Sequence, residues 1–216
     1  MRKLVQGIVE FRQRVRPEVR ETFARLALGQ RPDALFIACS DSRVAINVFA
    51  STEPGDLFVV RNAGNIVSPA AADGRSVGDE SEAAAIEFAV DELQVKDIIV
   101  CGHSSCGAMT GLLEGREKIS SPHLRSWLRH AEPALERLDD PRGARALDRL
   151  SQGNVLLQLE HLRTYPMVSL EEAAGRLRLH AFWFDIAEAE VLAHDAAAGA
   201  FVPLDEAQAE RLLQGQ

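Results

Sequence analysis

The chain has 216 residues and a formal net charge of −8, from 24 Lys and Arg against 32 Asp and Glu, with 46% apolar and 26% charged residues. That length predicts a single domain with a sizeable core, and the acidic balance argues against a nucleic-acid partner or an anionic membrane surface. Three cysteines are too few, and odd in number, for a disulfide framework, and no apolar run approaches the roughly 18 residues of a membrane span.

The N-terminal stretch MRKLVQGIVEFRQRV is too charged for a secretory signal, so a reducing cytoplasm is the predicted location. Each cysteine is then core filler, metal ligand or nucleophile. Along residues 3–28, Leu4, Ile8, Phe11, Val15, Val19, Phe23, Leu26 and Leu28 recur mostly at three or four, which predicts one or two amphipathic helices interrupted at Pro17. ALFIA (34–38) and DLFVV (56–60) are short apolar runs bounded by turn residues, the pattern of strands buried on both faces of a parallel sheet. A loop is predicted over 68–80 and a helix over 81–93, capped by Ser81 or Asp79.

DIIVC (97–101) reads as a third buried strand that Gly102 ends. From Ala108 to about Leu162 the pattern is helical, cut by Pro122, by DDPRG (139–143) and by SQGN (151–154). FWFDI (182–186) and VLAHD (191–195) read as a hairpin, although AEAE between them has helical propensity. Strands alternating with crossover helices predict an α/β fold, with a mainly parallel central sheet flanked by helices and an N-terminal helical arm.

In such sheets ligands bind outside the carboxyl ends of the strands. The first strand ends in Cys39, followed by Asp41 and Arg43, and the third runs into GHSSCG with His103 and Cys106. His-x-x-Cys can bring both side chains to one point, and Cys39 from a neighbouring strand completes a Cys₂His set, a catalytic zinc constellation with its fourth position open. Thiolates select zinc over magnesium or calcium. Asp41 and Arg43 are the candidates for orienting what binds there.

Each piece alone has an ordinary explanation: a buried Cys is usually core, a lone His-x-x-Cys arises by chance, and an Asp/Arg pair is often a surface contact. Their coincidence at two strand ends is what packing does not explain. A nucleophile elbow is the rival, but the residue two after Ser104 is Cys106 rather than Gly. Cys106 acting as nucleophile with His103 as base would leave Cys39 and the Asp41/Arg43 pair without a role. Cys101, with apolar neighbours, reads as core in preference to replacing Cys106 as ligand. His123, His130, His161, His180 and His194 lack partner residues in the sequence and read as surface or core.

With these residues in hand, the chain resembles the β-class carbonic anhydrases: CSDSRV (39–44), EPGDLFVVRNAGN (53–65), IEFAVDELQVKDIIVCGHSSCGA (86–108) and FWFDI (182–186) match the family pattern over roughly Gln30 to Asp195. The resemblance implies a single domain over 1–216, whose helical arm (1–29) packs on a partner subunit in a homodimer or higher homo-oligomer. It also implies one zinc ion per chain on Cys39, His103 and Cys106, with Asp41 and Arg43 as the catalytic dyad.

The implied reaction is reversible hydration of carbon dioxide to bicarbonate and a proton, by attack of a zinc-bound hydroxide. Gln30 and the Gly107 N–H would steady the bicarbonate oxygens, and Phe58, Val67 and Phe88 would form the apolar substrate wall. In one branch of the family Asp can close the zinc site, and a Trp stands three residues before the first zinc Cys beside an anion pocket. Here that position is Phe36, although the pocket's arginine is matched by Arg61. Gln30 and Phe58 match the open branch, while Phe88 replaces its Tyr. Hydrolysis of carbon disulfide or carbonyl sulfide on the same scaffold, and zinc or bicarbonate binding without turnover, are the alternatives.

Overall fold

The structure is a computed structural model and describes residues 1–214. It opens with α1 (Arg2–Glu10), a wider π-type turn over Phe11–Val15 and α2 (Arg16–Leu26). Pro17 does not interrupt this arm: it sits in the first turn of α2, where a missing N–H costs nothing. None of the three segments buries a residue against its own chain, and Leu4 (62%) and Ile8 (59%) stay exposed.

β1 (Ala34–Cys39) follows, then α3 (Ile46–Phe49), β2 (Leu57–Asn62), α4 (Glu80–Glu87) and β3 (Asp97–His103). Asp79 caps α4 by accepting the Ser81 N–H at 2.8 Å. Next come α5 (Gly107–Leu113), α6 (Pro122–Trp127), α7 (Glu132–Glu136), α8 (Ala146–Leu162) and α9 (Pro166–Ala173). β4 (Arg178–Asp185), β5 (Glu190–Asp195), β6 (Ala200–Pro203) and α10 (Glu206–Gln214) complete the chain.

The sheet order is β2-β1-β3-β4-β5-β6, with β2, β1, β3 and β4 parallel and the last two strands added as an antiparallel meander. The mainly parallel, helix-flanked sheet is as the sequence predicts. β1 is buried along its whole length, and alternation divides its side chains. Leu35 and Ile37 join Ile98, Val100, Val155 and Tyr165 on one face, while Phe36 and Ala38 join Ile99, Cys101 and Phe184 on the other.

Two local expectations fail. β3 does not end at Gly102 but continues to His103, because Gly102 lets α8 close on the sheet: a Cβ there would stand 2.7 Å from Val155 Cγ2 and 3.1 Å from Trp183 Cδ1. SQGN does not break a helix but lies inside α8, where Ser151 Oγ donates to the His103 carbonyl (2.9 Å) and Asn154 Nδ2 to the Gly64 carbonyl (3.0 Å). The expected hairpin of β4 and β5 forms, closed by a tight turn over residues 186–189 with Ala189 at a φ of 53°. β6 has no counterpart in the sequence reading.

Candidate metal centre

β1 and β3 run side by side in parallel, with Ala38 opposite Cys101, so Cys39 and His103 emerge at the same edge of the sheet. The chain then turns through Ser105, at a φ of 56°, and returns Cys106 to the same point just before α5. The ligand atoms of Cys39, His103 and Cys106 all lie within 4.8 Å of one another, and all three residues are buried. Cys101 faces the core instead, and full burial pushes its thiol up to about 12.

The donor chemistry fits zinc. His103 Nδ1–H donates to the Ser104 carbonyl at 2.8 Å, which fixes the tautomer and leaves Nε2 as a lone-pair donor. That buried Nε2 has no hydrogen-bond partner among the described residues. The Cys106 thiol donates toward Cys39 and the Gly64 N–H points at the same sulfur, and together they hold the Cys39 thiol well below its usual value against the opposing effect of burial. The negative sulfur so formed, together with burial, pushes Cys106 up. The pair releases its first proton readily and holds its second, until a dication takes the place of that proton.

The loop after β2 supports the cluster from below. Gly64 N–H points at Cys39 Sγ (3.4 Å), and Gly64 needs both its positive φ of 86° and its lack of a Cβ, which would stand 3.1 Å from Ala108 Cβ. Asn62 pins the turn by exchanging two hydrogen bonds with the Ile66 backbone. Trp127 Nε1–H donates to the Ala63 carbonyl, Gln158 accepts the Val67 N–H, and His161 Nδ1–H donates to the Val67 carbonyl. The sequence reading passed over this support. Its one available signal was polar spacing: Ser151, Asn154 and Gln158 lie three and four apart on a helix that ought to bury that face.

At the mouth of the cluster Arg43 grips Asp41 in fork geometry, with Nε to Oδ1 at 2.9 Å and Nη2 to Oδ2 at 2.7 Å, and its own N–H adds a third bond to Oδ1. The Arg43 fork holds the Asp41 carboxyl far below the usual carboxylate range. Arg43 Nη2 also donates to the Ser105 carbonyl at 3.0 Å, which ties the turn after β1 to the turn carrying Cys106.

The five expected substrate-binding residues divide. Gly107 opens α5 directly after Cys106, with open space where a Cβ would stand, and Val67 is fully buried in the loop after β2, in the core with Leu35, Ile37 and Val100. Gln30, Phe58 and Phe88 lie elsewhere in the chain. Phe58 pairs with Leu35, four residues before Asn62 at the metal end, a separation of about 13 Å along the strand. Phe88 packs near it, with ring centroids 5.8 Å apart, and Gln30 precedes β1 beside Pro54 and Gly55. A single chain therefore does not bring these three side chains to its own Cys39–His103–Cys106 group.

Comparison with known proteins gives a consistent result. A family model described as carbonic anhydrase matches residues 34–191. The chain is 40% identical over 219 residues to the carbonic anhydrase of Pseudomonas aeruginosa, covering 100% of this chain and 97% of that one. The solved structure of the β-carbonic anhydrase CcaA superposes with a TM-score of 0.86 at 39% identity, covering 95% of this chain and 92% of that one. One of two tetrameric β-carbonic anhydrases from Sordaria macrospora superposes at 0.75 with 30% identity, covering 94% and 95%.

Proposed function

The chain belongs to the β-carbonic anhydrase family, and from that premise we propose that it is a carbonate dehydratase that interconverts carbon dioxide and bicarbonate on one zinc ion per chain. The observation that carries this reading is the buried Cys39–His103–Cys106 group, whose Nε2 lone pair has no other use, with a fork-held Asp41 beside it. These three side chains would hold the ion. When bound, zinc supplies the Lewis acidity that lets a water lose its proton near neutral pH.

The chain's own residues supply the rest. With both Asp41 oxygens engaged by Arg43, the carboxylate keeps one fixed direction and accepts a hydrogen bond from the attacking oxygen, which leaves that oxygen's lone pair toward the carbon of CO₂. In this reading the Gly107 N–H would bond an oxygen of the product bicarbonate, and Val67 would belong to the dry wall against which an apolar substrate rests. Cys39 and Cys106 as thiolate ligands would neutralise the dication more than three imidazoles do, so a water held there would be acidified less than in three-His sites.

Stopped-flow CO₂ hydration with a pH indicator tests the reading. Zinc-loaded protein is expected to hydrate CO₂ far faster than buffer, at a rate rising from pH 6.5 to 9. Background rates at pH 8.5 on zinc-loaded protein would defeat the assignment, and a flat profile would defeat the account of the thiolates.

The same reading makes the whole chain one domain and its working form an oligomer. Gln30, Phe58 and Phe88 can face a metal group only across a subunit boundary, and the arm leaves Leu4, Ile8 and Phe11 uncovered by its own chain. Light scattering is expected to give a multiple of 23.6 kDa. A monomer with full activity would remove those three residues from the substrate site. Among the described residues no helix is long and apolar enough to cross a membrane. A cytoplasmic location suits a ligand set that needs two reduced sulfurs.

A further inference from the structure

β2 ends in Arg61 and Asn62, opposite Ala38 and Cys39 of β1. Alternation along the strand sends these two side chains to opposite faces. Asn62 pins its own turn, while Arg61 reaches over the chain leaving β1. Its Nε donates to the Cys39 carbonyl at 3.1 Å, and its Nη2 lies 2.7 Å from the Cys39 carbonyl, 2.9 Å from that of Asp41 and 2.8 Å from that of Val44. All four contacts are to backbone oxygens.

Those three carbonyls bracket the segment that carries the first sulfur and the Asp41–Arg43 pair. The segment from Ser40 to Ala45 has no regular secondary structure and few bonds of its own, chiefly Ser40 N–H to the Asn62 carbonyl and Val44 N–H to the Asp41 carbonyl. Its other carbonyls need donors from outside. The guanidinium carries Nη2 to a point shared by all three carbonyls, one bond farther from the backbone than a lysine Nζ reaches, and its Nε adds a second bond to Cys39 that lysine has no atom to make.

We propose that Arg61 is the positioning residue of the metal centre: by fastening the carbonyls of Cys39, Asp41 and Val44 it sets where Cys39 Sγ and the Asp41 carboxylate stand relative to His103 and Cys106. The proposal rests on the carbonic anhydrase reading for its kinetic consequence, but its structural consequence is independent of that reading. The guanidinium serves the backbone of the dyad segment rather than a bound anion, and its reach and its Nε bond matter more than its charge.

The test is Arg61→Lys, which keeps the charge but loses the Nε bond and the reach of Nη2. The expected result is one metal per chain, an altered visible spectrum of the cobalt(II)-substituted protein in its thiolate charge-transfer region, and a kcat for CO₂ hydration lowered roughly ten- to a hundredfold with KM within about twofold. A wild-type spectrum and kcat would overturn the proposal. So would an unchanged spectrum with a raised KM, which is the signature of an anion-binding arginine. If the parent protein shows no CO₂ hydration, the functional reading fails and the cobalt spectrum alone decides the role of Arg61. If the lysine variant does not fold, NMR of ¹⁵N-arginine-labelled parent protein decides it. Arg61 Nε and Nη protons protected from exchange support the clamp, and protons exchanging as fast as those of exposed arginines overturn it.

Discussion

Arg43→Ala is expected to lower CO₂ hydration by about two to three orders of magnitude while leaving one zinc per chain. The guanidinium supplies two of the three hydrogen bonds that Asp41 receives, one to each carboxylate oxygen, and the third comes from the Arg43 N–H, which alanine keeps. Without the fork the Asp41 carboxyl returns toward its ordinary value near 3.8 and remains ionised at neutral pH. The loss is therefore one of aim and not of charge. A carboxylate tethered by one backbone bond can turn away from the attacking oxygen, or toward the metal as a competing ligand.

The same substitution removes the bond from Arg43 to the Ser105 carbonyl and loosens the turn that carries Cys106. Stopped-flow kinetics together with metal analysis check the prediction. A variant that keeps both its zinc and most of its rate would show that Asp41 needs no partner.

Glu82→Gln is expected to change stability rather than chemistry, and by a large amount. Glu82 is 4% exposed, inside α4; its Oε2 accepts the Ser68 N–H at 3.3 Å and its Oε1 has no partner among the described residues. Ser68 Oγ and His130 Nε2, both buried and also unpartnered there, lie against Gly78 in the same region. Burial pushes the Glu82 carboxyl from 4.5 up to about 8; Asp79 acts in the same direction, and the Ser68 N–H opposes it. His130 is driven the other way, down to about 4, by burial and by the charges of Arg129 and His161. At neutral pH this is a pocket of uncharged groups.

The folded state binds the Glu82 proton more tightly than the unfolded chain does. The stability this contributes is complete below about pH 4.5 and is lost as pH rises toward and through about 8. At about 1.4 kcal/mol per pH unit, the total is on the order of 4–5 kcal/mol. Glutamine has the same shape and never ionises, so the variant is expected to match the parent near pH 4.5, to be about 3 kcal/mol more stable already at pH 7, and to level off at several kcal/mol above pH 8. Urea unfolding across pH 5–9 measures the difference. Parallel curves for the two proteins would mean that Glu82 is solvated or paired in solution.

Much of the fold and the site could be read in the sequence because the signals are local. ALFIA, DLFVV and DIIVC are apolar without alternation and each became a parallel strand, but only ALFIA and DIIVC are covered on both faces, since DLFVV forms the edge strand β2 with Val59 42% exposed. Asp79 caps a helix through its own side chain two residues away. Cys39, His103 and Cys106 could be chosen because sulfur and imidazole at two neighbouring strand ends have few other uses, and the structure brings their ligand atoms together.

Tertiary structure decided what depends on distant partners. SQGN breaks helices in isolation, yet Ser151 and Asn154 sit inside α8 because the carbonyls of His103 and Gly64, 48 and 90 residues away, require their donors. Glu82 lies in an ordinary amphipathic pattern, and only the closure of the 65–80 loop and the segment around His130 strips water from it. Gln30, Phe58 and Phe88 match a site motif one by one, but strand direction places them away from the metal end of their own chain. Arg61 is one cation among 24 until the register of β2 on β1 carries its guanidinium over the carbonyls of the segment that holds Asp41. Residue chemistry and hydrophobic period are written along the chain, whereas burial and long-range hydrogen bonding arise only when strands and helices far apart in sequence exclude water together.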